Sequence, residues 1–160
     1  MPPGEVSSGG NHGRWLGPLT YRVRMRTMAR ALALPASDRA LLLRAFAWVV
    51  AMRIGLWVVP FSRLRRAADR LRPAGAPAAP TRIAWAVEAA GRRVPAASCL
   101  TRALAADAML RRAGRSPEIR LGVAKADDGV EAHAWLSLDG EVLVGGHDLH
   151  RYTPLRGAPV

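Results

Sequence analysis

Two turns near the C-terminal end constrain this chain most. From Glu118 onward, runs rich in Val, Leu, Ile and Ala read as strands near 118–126, 130–138 and 141–145, and Asp127-Asp128-Gly129 and Asp139-Gly140 join them. Asp-Gly supplies the positive φ angles of a tight hairpin, so the three strands are expected side by side in one antiparallel meander. Before residue 115 the apolar residues recur at helical spacing instead. Helices first and an antiparallel meander after them make an α+β domain.

The helical part breaks at clear signals. Ser37-Asp38-Arg39 reads as the cap of an apolar run from Ala40 to Val59, which ends at Pro60. A basic helical stretch, Phe61 to Leu71, runs into Pro73-Ala-Gly-Ala-Pro-Ala-Ala-Pro80, a linker or surface loop. Thr81 to Ala90 is a short amphipathic helix with Ile83, Trp85 and Val87, closed by Gly91. At 160 residues, half of them hydrophobic, the chain is expected to hold one domain. We expect a flexible basic extension over 1–36, a helical subregion over 37–72, the linker over 73–80 and a core over 81–155. Tyr21 to Arg30 alternates basic and apolar residues, and both strand and helix fit it.

The run from Ala40 to Val59 is long enough to span a bilayer. It carries Arg44 and Arg53, each costing about 2.5–3.5 kcal/mol near a bilayer centre. The two lie about 180° apart around a helix, so one polar stripe does not serve both. A soluble, largely buried helix is the simplest reading; a membrane-surface or partner-docking helix comes next, and a spanning segment last.

The formal net charge of +12 is uneven. Residues 1–95 carry 16 arginines against four acids, whereas residues 96–160 carry eight of each sign. A basic half suits nucleic acid, an anionic membrane or an acidic partner, but no basic strand interleaved with aromatics and no recognition helix is present, so no nucleic-acid partner is expected. All but one of the basic residues are arginine among abundant Ala, Gly and Pro, which coding bias alone produces. The opening Met1-Pro-Pro-Gly4 lacks the basic start and apolar core of an export signal. A single cysteine forms no internal disulfide. A cytoplasmic location, with membrane association open, is the expectation.

That cysteine, Cys99, opens a helix. Pro95 to Ser98 is a helix start, Leu100, Ala103, Leu104 and Leu110 follow at helical spacing, and Gly114 closes it. Free N–H groups and the helix dipole stabilise negative charge there, which favours a reactive thiolate. His133 follows on the expected strand Val130 to Leu138. A thiol at a helix start with a histidine on a later strand is the pair needed for nucleophilic acyl chemistry.

These residues also carry a resemblance. Pro95-Ala-Ala-Ser-Cys99-Leu-Thr-Arg-Ala-Leu, Ala132-His-Ala-Trp135, Val144-Gly-Gly-His-Asp148 and Tyr152-Thr-Pro-Leu155 resemble the transglutaminase-like cysteine peptidase domain of lasso-peptide B proteins, over about residues 37–155. The resemblance implies a papain-like core, a cysteine-bearing helix packed on a small antiparallel sheet, that removes the leader from a lasso precursor peptide before a partner cyclase closes the macrolactam. It implies Cys99 as nucleophile, His133 as general base and a third acid, for which Asp148 is the nearest candidate, with Asp139 and Glu141 as alternatives. Fused relatives carry a peptide-recognition domain ahead of the protease. Residues 1–36 are too short for one, so the split form, working with a separate leader-recognition protein, is expected.

The remaining candidates are weaker. There is no Gln in the chain to complete an oxyanion hole; Arg93 could donate, although a solvated arginine is the simpler reading. Trp135 is a core aromatic or a groove wall. Arg63, Arg65 and Arg66 are candidates for docking a partner. His147 and His150 beside Asp148 match no zinc spacing, His12 carries no signal, and neither metal nor cofactor is expected. A non-catalytic peptide-binding module and a transglutaminase-type acyltransferase stay open.

Overall fold

The computed structural model describes residues 34–74, 78–126 and 129–155. The Tyr21–Arg30 stretch, His12, the linker centre 75–77 and the Asp127-Asp128 pair lie outside them. Every described element belongs to the unit that begins at Ala36. Among the described residues four helices come first: α1 (Ala36–Val58), α2 (Phe61–Asp69), α3 (Pro80–Gly91) and α4 (Cys99–Arg112). Then come β1 (Glu118–Ala126), β2 (Gly129–Leu138), β3 (Glu141–Val144), a 3₁₀ turn (Leu149–Arg151) and β4 (Thr153–Pro154). The fold is α+β.

Helix α1 begins directly after Pro35, so Asp38 lies inside its first turn rather than at the cap. There its carboxylate faces the positive end of the helix and pairs with Arg82 of α3. Pro60 ends α1 and starts α2; Pro80 is the first residue of α3, where its missing N–H costs nothing. Helix α4 stops in a Schellman motif. Gly114 at φ +75° is left-handed, Arg115 N–H donates to Leu110 O at 3.0 Å and Gly114 N–H to Arg111 O at 2.9 Å.

Helix α4 is the hub of the core and packs on α1, α2, α3 and β2. Ala103, Leu104, Ala105, Ala106, Ala108 and Leu110 are fully buried. The alanines let neighbouring helices approach closely, and each buried leucine contributes roughly 2 kcal/mol. By contrast α1 buries only Ala45, Val49 and Met52. The expectation of a largely buried helix therefore fails: α1 is apolar on every side, and only one side finds protein.

The sheet has the order β3-β2-β1-β4, with antiparallel pairs throughout. Strand β1 pairs β2 from Glu118↔Ser137 to Ala126↔Gly129. Period-two alternation gives it two faces. Ile119, Leu121, Ala134, Leu136 and Leu138 join the main core with the helices. Ala124 and Trp135 turn the other way and form a second cluster with Tyr152 and Leu149. Strand β4, two residues pairing the outer edge of β1, and the 3₁₀ turn before it are not among the elements expected from the sequence.

Candidate active site

The loop before α4 aims the thiol. Ala97 N–H donates to Val94 O at 3.2 Å, with Pro95 and Ala96 as the central pair and Ala96 at φ +55°. This is the signature of a type II turn, whose third position usually takes Gly. Ser98 then caps the helix: its Oγ accepts from Thr101 N–H at 3.2 Å and lies 3.0 Å from Thr101 Oγ1. Thr101 is itself buried. Cys99 is thus the first helical residue, half-buried against the main core. The N–H groups of Cys99 and Leu100 precede the first intrahelical donor, Arg102 N–H, which bonds Ser98 O, and they point out of the helix end.

His133 is held on β2 by three contacts. Its Nε2 lies 2.8 Å from Gly145 O. A carbonyl only accepts, so this bond fixes the proton on Nε2 and leaves Nδ1 as the basic nitrogen. On one side the imidazole stacks against Tyr152, centroids 4.7 Å apart and planes 26° apart. Trp135 lies nearly parallel to it at 6.3 Å. Tyr152 is fixed in turn, its hydroxyl donating to Glu131 Oε1 at 2.9 Å, which holds the phenol above its usual range. Arg151 pairs with the same carboxylate at 3.7 Å.

Cys99 and His133 are not joined by a hydrogen bond. The thiol packs with the helix-side core, whereas the imidazole stacks within the second cluster. Asp148 does not reach His133 either. It is exposed, left-handed at φ +54°, and begins the 3₁₀ turn without a side-chain cap bond. The group on Nε2 is the Gly145 carbonyl, which no residue-type motif announces. Asp139 is left-handed in the β2–β3 turn, at φ +51°, and Glu141 is exposed at the start of β3.

The other candidates are placed as follows. Arg93 is exposed, and its Nη1 donates back to Ala89 O at 2.7 Å. Trp135 is buried beside the imidazole. Arg63 and Arg66 are exposed, but Arg65 turns inward: its Nη1 donates to Asp107 Oδ2 at 2.8 Å. Asp107 is fully buried in α4 and also accepts from Arg111 Nε at 3.0 Å. Burial pushes its carboxyl up, while Arg65 and Arg111 pull it down by less. This cluster, with Asp69 bridging both arginines at 3.2 Å, clamps α2 to α4. His147 and His150 are exposed, and among the described residues no group of three or more His, Cys, Asp or Glu side chains is placed to hold a metal.

A cavity of about 70 Å³ lies between α1, α3 and the far end of α4, lined by Leu41, Arg44, Trp48, Ile83, Met109 and Arg112. Arg112 is 13 residues along α4 from Cys99, roughly 20 Å at 1.5 Å per residue, so the cavity is remote from the thiol.

No curated protein and no solved structure matches this chain. One protein family does, the transglutaminase-like superfamily, over residues 40–157. That span takes in α2 through β4 and nearly all of α1, including Cys99, His133 and Asp148. The chain therefore belongs to the transglutaminase-like superfamily, whose members are in general cysteine-protease-like or acyltransferase-like.

Proposed function

We propose that this protein is a cysteine peptidase that cuts the leader from a ribosomally made lasso-peptide precursor. The observation that carries the reading is the chain's single thiol, placed first in a capped helix within a transglutaminase-like match that spans most of the chain. In the proposed reaction His133 Nδ1 accepts the Cys99 proton, and Sγ adds to the scissile carbonyl. The Cys99 and Leu100 N–H groups receive the oxyanion. Collapse breaks the C–N bond, the core peptide leaves as an amine carrying the proton from His133, and water hydrolyses the leader thioester. The C–N cleavage frees the α-amine that a partner cyclase needs for macrolactam closure, and the hydrolysis releases the leader as its carboxylate. Because Cys99 and His133 are not hydrogen-bonded in the free protein, substrate must bring the two together; catalytic hydrogen bonds often tighten only in the complex. Asp148 retains a role in this reading only if the 3₁₀ turn moves with the substrate.

A separate leader-recognition protein would raise the precursor's local concentration. The test is cleavage of a cognate precursor, read by mass spectrometry, with wild type and Cys99→Ala. We expect cleavage by wild type and none by the variant; processing by Cys99→Ala overturns the reading. The unpaired Cys99 and His133 favour a second reading, a non-catalytic peptide-binding module. Alkylation discriminates: a thiol activated by His133 reacts more slowly once His133→Ala is made, while a structural thiol is indifferent to that change.

A further inference from the structure

We infer that α1 seats the protein on an anionic lipid bilayer, its outer apolar row lying among the headgroups and the neighbouring arginines on lipid phosphates. The row is large and uncovered: Leu43 is 71 % exposed, Ile54 55 %, Trp57 77 % and Val58 74 %, with Phe46 also exposed. At 100° per residue these side chains, with Ala47, fall within an arc of about 120°, opposite Ala45, Val49 and Met52, which enter the core. From Leu43 to Val58 the row is about 22 Å long at 1.5 Å per residue. Soluble monomers seldom leave so continuous an apolar strip in water.

Charge selects the occupant. Arg44 and Arg53 flank the row, and the Arg53 guanidinium lies over the Trp57 ring at 4.5 Å. Beyond Pro60, α2 packs against Gly55 of α1 through Leu64 and leaves Arg63, Arg66 and Arg70 exposed. The acids of these two helices do not offset them, since Asp38 is bound to Arg82 and Asp69 to Arg65 and Arg111. A second copy of the chain would set one cationic margin against another. A lipid surface supplies negative charge, and a Trp with a stacked Arg suits the boundary between headgroups and acyl chains. Apart from the Trp57 indole N–H, the row itself has no side chain that forms directional hydrogen bonds. It therefore fits a fluid apolar layer better than the patterned surface of a folded acidic protein. The helix lies on the membrane rather than through it, because its inner side belongs to the core.

Flotation of the full-length protein with vesicles tests this. We expect partition onto phosphatidylcholine vesicles containing about 30 mol % phosphatidylglycerol, none onto phosphatidylcholine alone, and loss of binding as salt rises. Ile54→Asp and Trp57→Asp, both at exposed positions, should each weaken partition by roughly tenfold or more, with unchanged circular dichroism. Arg63→Ala and Arg66→Ala should each weaken it by about fivefold. The inference is overturned if the protein ignores anionic vesicles, binds neutral ones equally, or binds undiminished when both exposed positions are replaced. A dimer or an acidic protein complex that Ile54→Asp breaks, without vesicle binding, assigns the face to that partner and equally overturns it.

Discussion

Gly122 occupies a position where one methyl group should be felt both by the sheet and by the imidazole. It pairs His133 across β1–β2 and Pro154 across β1–β4. A Cβ there would lie 2.8 Å from Trp135 Cζ3, 3.0 Å from Trp135 Cη2 and 3.1 Å from Tyr152 Cβ. Ordinary carbon contacts begin near 3.5 Å, so both residues must yield by roughly half an ångström. The Trp135 ring is buried, and Tyr152 Cβ moves only with its backbone. Overpacking of this kind costs about 1–3 kcal/mol. Replacing a strand glycine by alanine returns about 0.5–1 kcal/mol of chain entropy. The net cost of Gly122→Ala should be about 1–2 kcal/mol, which lowers a urea midpoint by about 1 M at typical slopes. Gly146→Ala is the control: its Cβ would come no closer than 3.3 Å, to a Val142 methyl on an exposed side chain, and should change stability by no more than about 0.5 kcal/mol. The imidazole resonances of His133 give a second readout, since its stacked neighbours are the groups displaced. Equal midpoints for the two variants, with His133 unshifted in Gly122→Ala, would refute the reasoning.

Asp107→Ala leaves Arg65 and Arg111, with side chains only 15 % and 19 % exposed, sharing the carboxylate of Asp69, and should cost about 3 kcal/mol in urea unfolding, the low end for a broken buried pair. Burial raises the Asp107 carboxyl, so the folded state holds that proton more tightly than the unfolded chain. The titration therefore adds stability below the ordinary carboxylate range and loses it as pH rises through the raised value; the variant's deficit should be larger near about pH 4.5 than near about pH 7. Ala96→Gly relieves a left-handed alanine in the turn before Cys99 and should stabilise by about 0.5–1 kcal/mol, so a lowered thermal midpoint would contradict the turn assignment. Tyr152→Phe keeps the ring on His133 and loses the bond to Glu131, whereas Tyr152→Ala loses both. In the proposed peptidase, precursor cleavage should fall modestly in the first and by about tenfold or more in the second, and equal losses would mean that stacking does not position the imidazole.

What was legible in the sequence was local. The Asp-Gly turn, the period-two strands and the Pro and Gly stops each act within a few residues, and β1, β2, β3, α3 and both ends of α4 lie within a residue or so of where those signals put them. What escaped depends on distant partners. Asp107 looks like an ordinary charge in a helix until Arg65, 42 residues earlier, folds onto it; by the same contact Arg65 turns away from the exposed side on which Arg63 and Arg66 stand. Strand β4 has only two residues, and its pairing follows from β1. The partner of His133 is a backbone carbonyl, and no residue type encodes a carbonyl. The exposure of α1 escaped because a helix apolar all round has no sided pattern to say which face the core will take.

The proposed nucleophile and the proposed base therefore rest on different foundations. Cys99 is placed by α4, whose position follows from the alanine-rich core and from the Asp107 clamp to α2. His133 is placed from the other face of the sheet, by Gly145 O, Trp135 and Tyr152 with its bond to Glu131. Strand β2 is what the two arrangements share, through its contacts with α4 on one side and the imidazole it carries on the other. Damage to one foundation should leave the other standing. Loosening the Asp107 clamp lowers stability while folded molecules keep their imidazole in register, and removing the Tyr152 ring frees the imidazole while α4 stays packed. In the proposed peptidase, stability should follow the first set of residues and turnover per folded molecule the second. In the proposed reaction the difficult step is therefore the rearrangement that brings Nδ1 and the thiol together, since the free protein mounts them on opposite faces of the sheet.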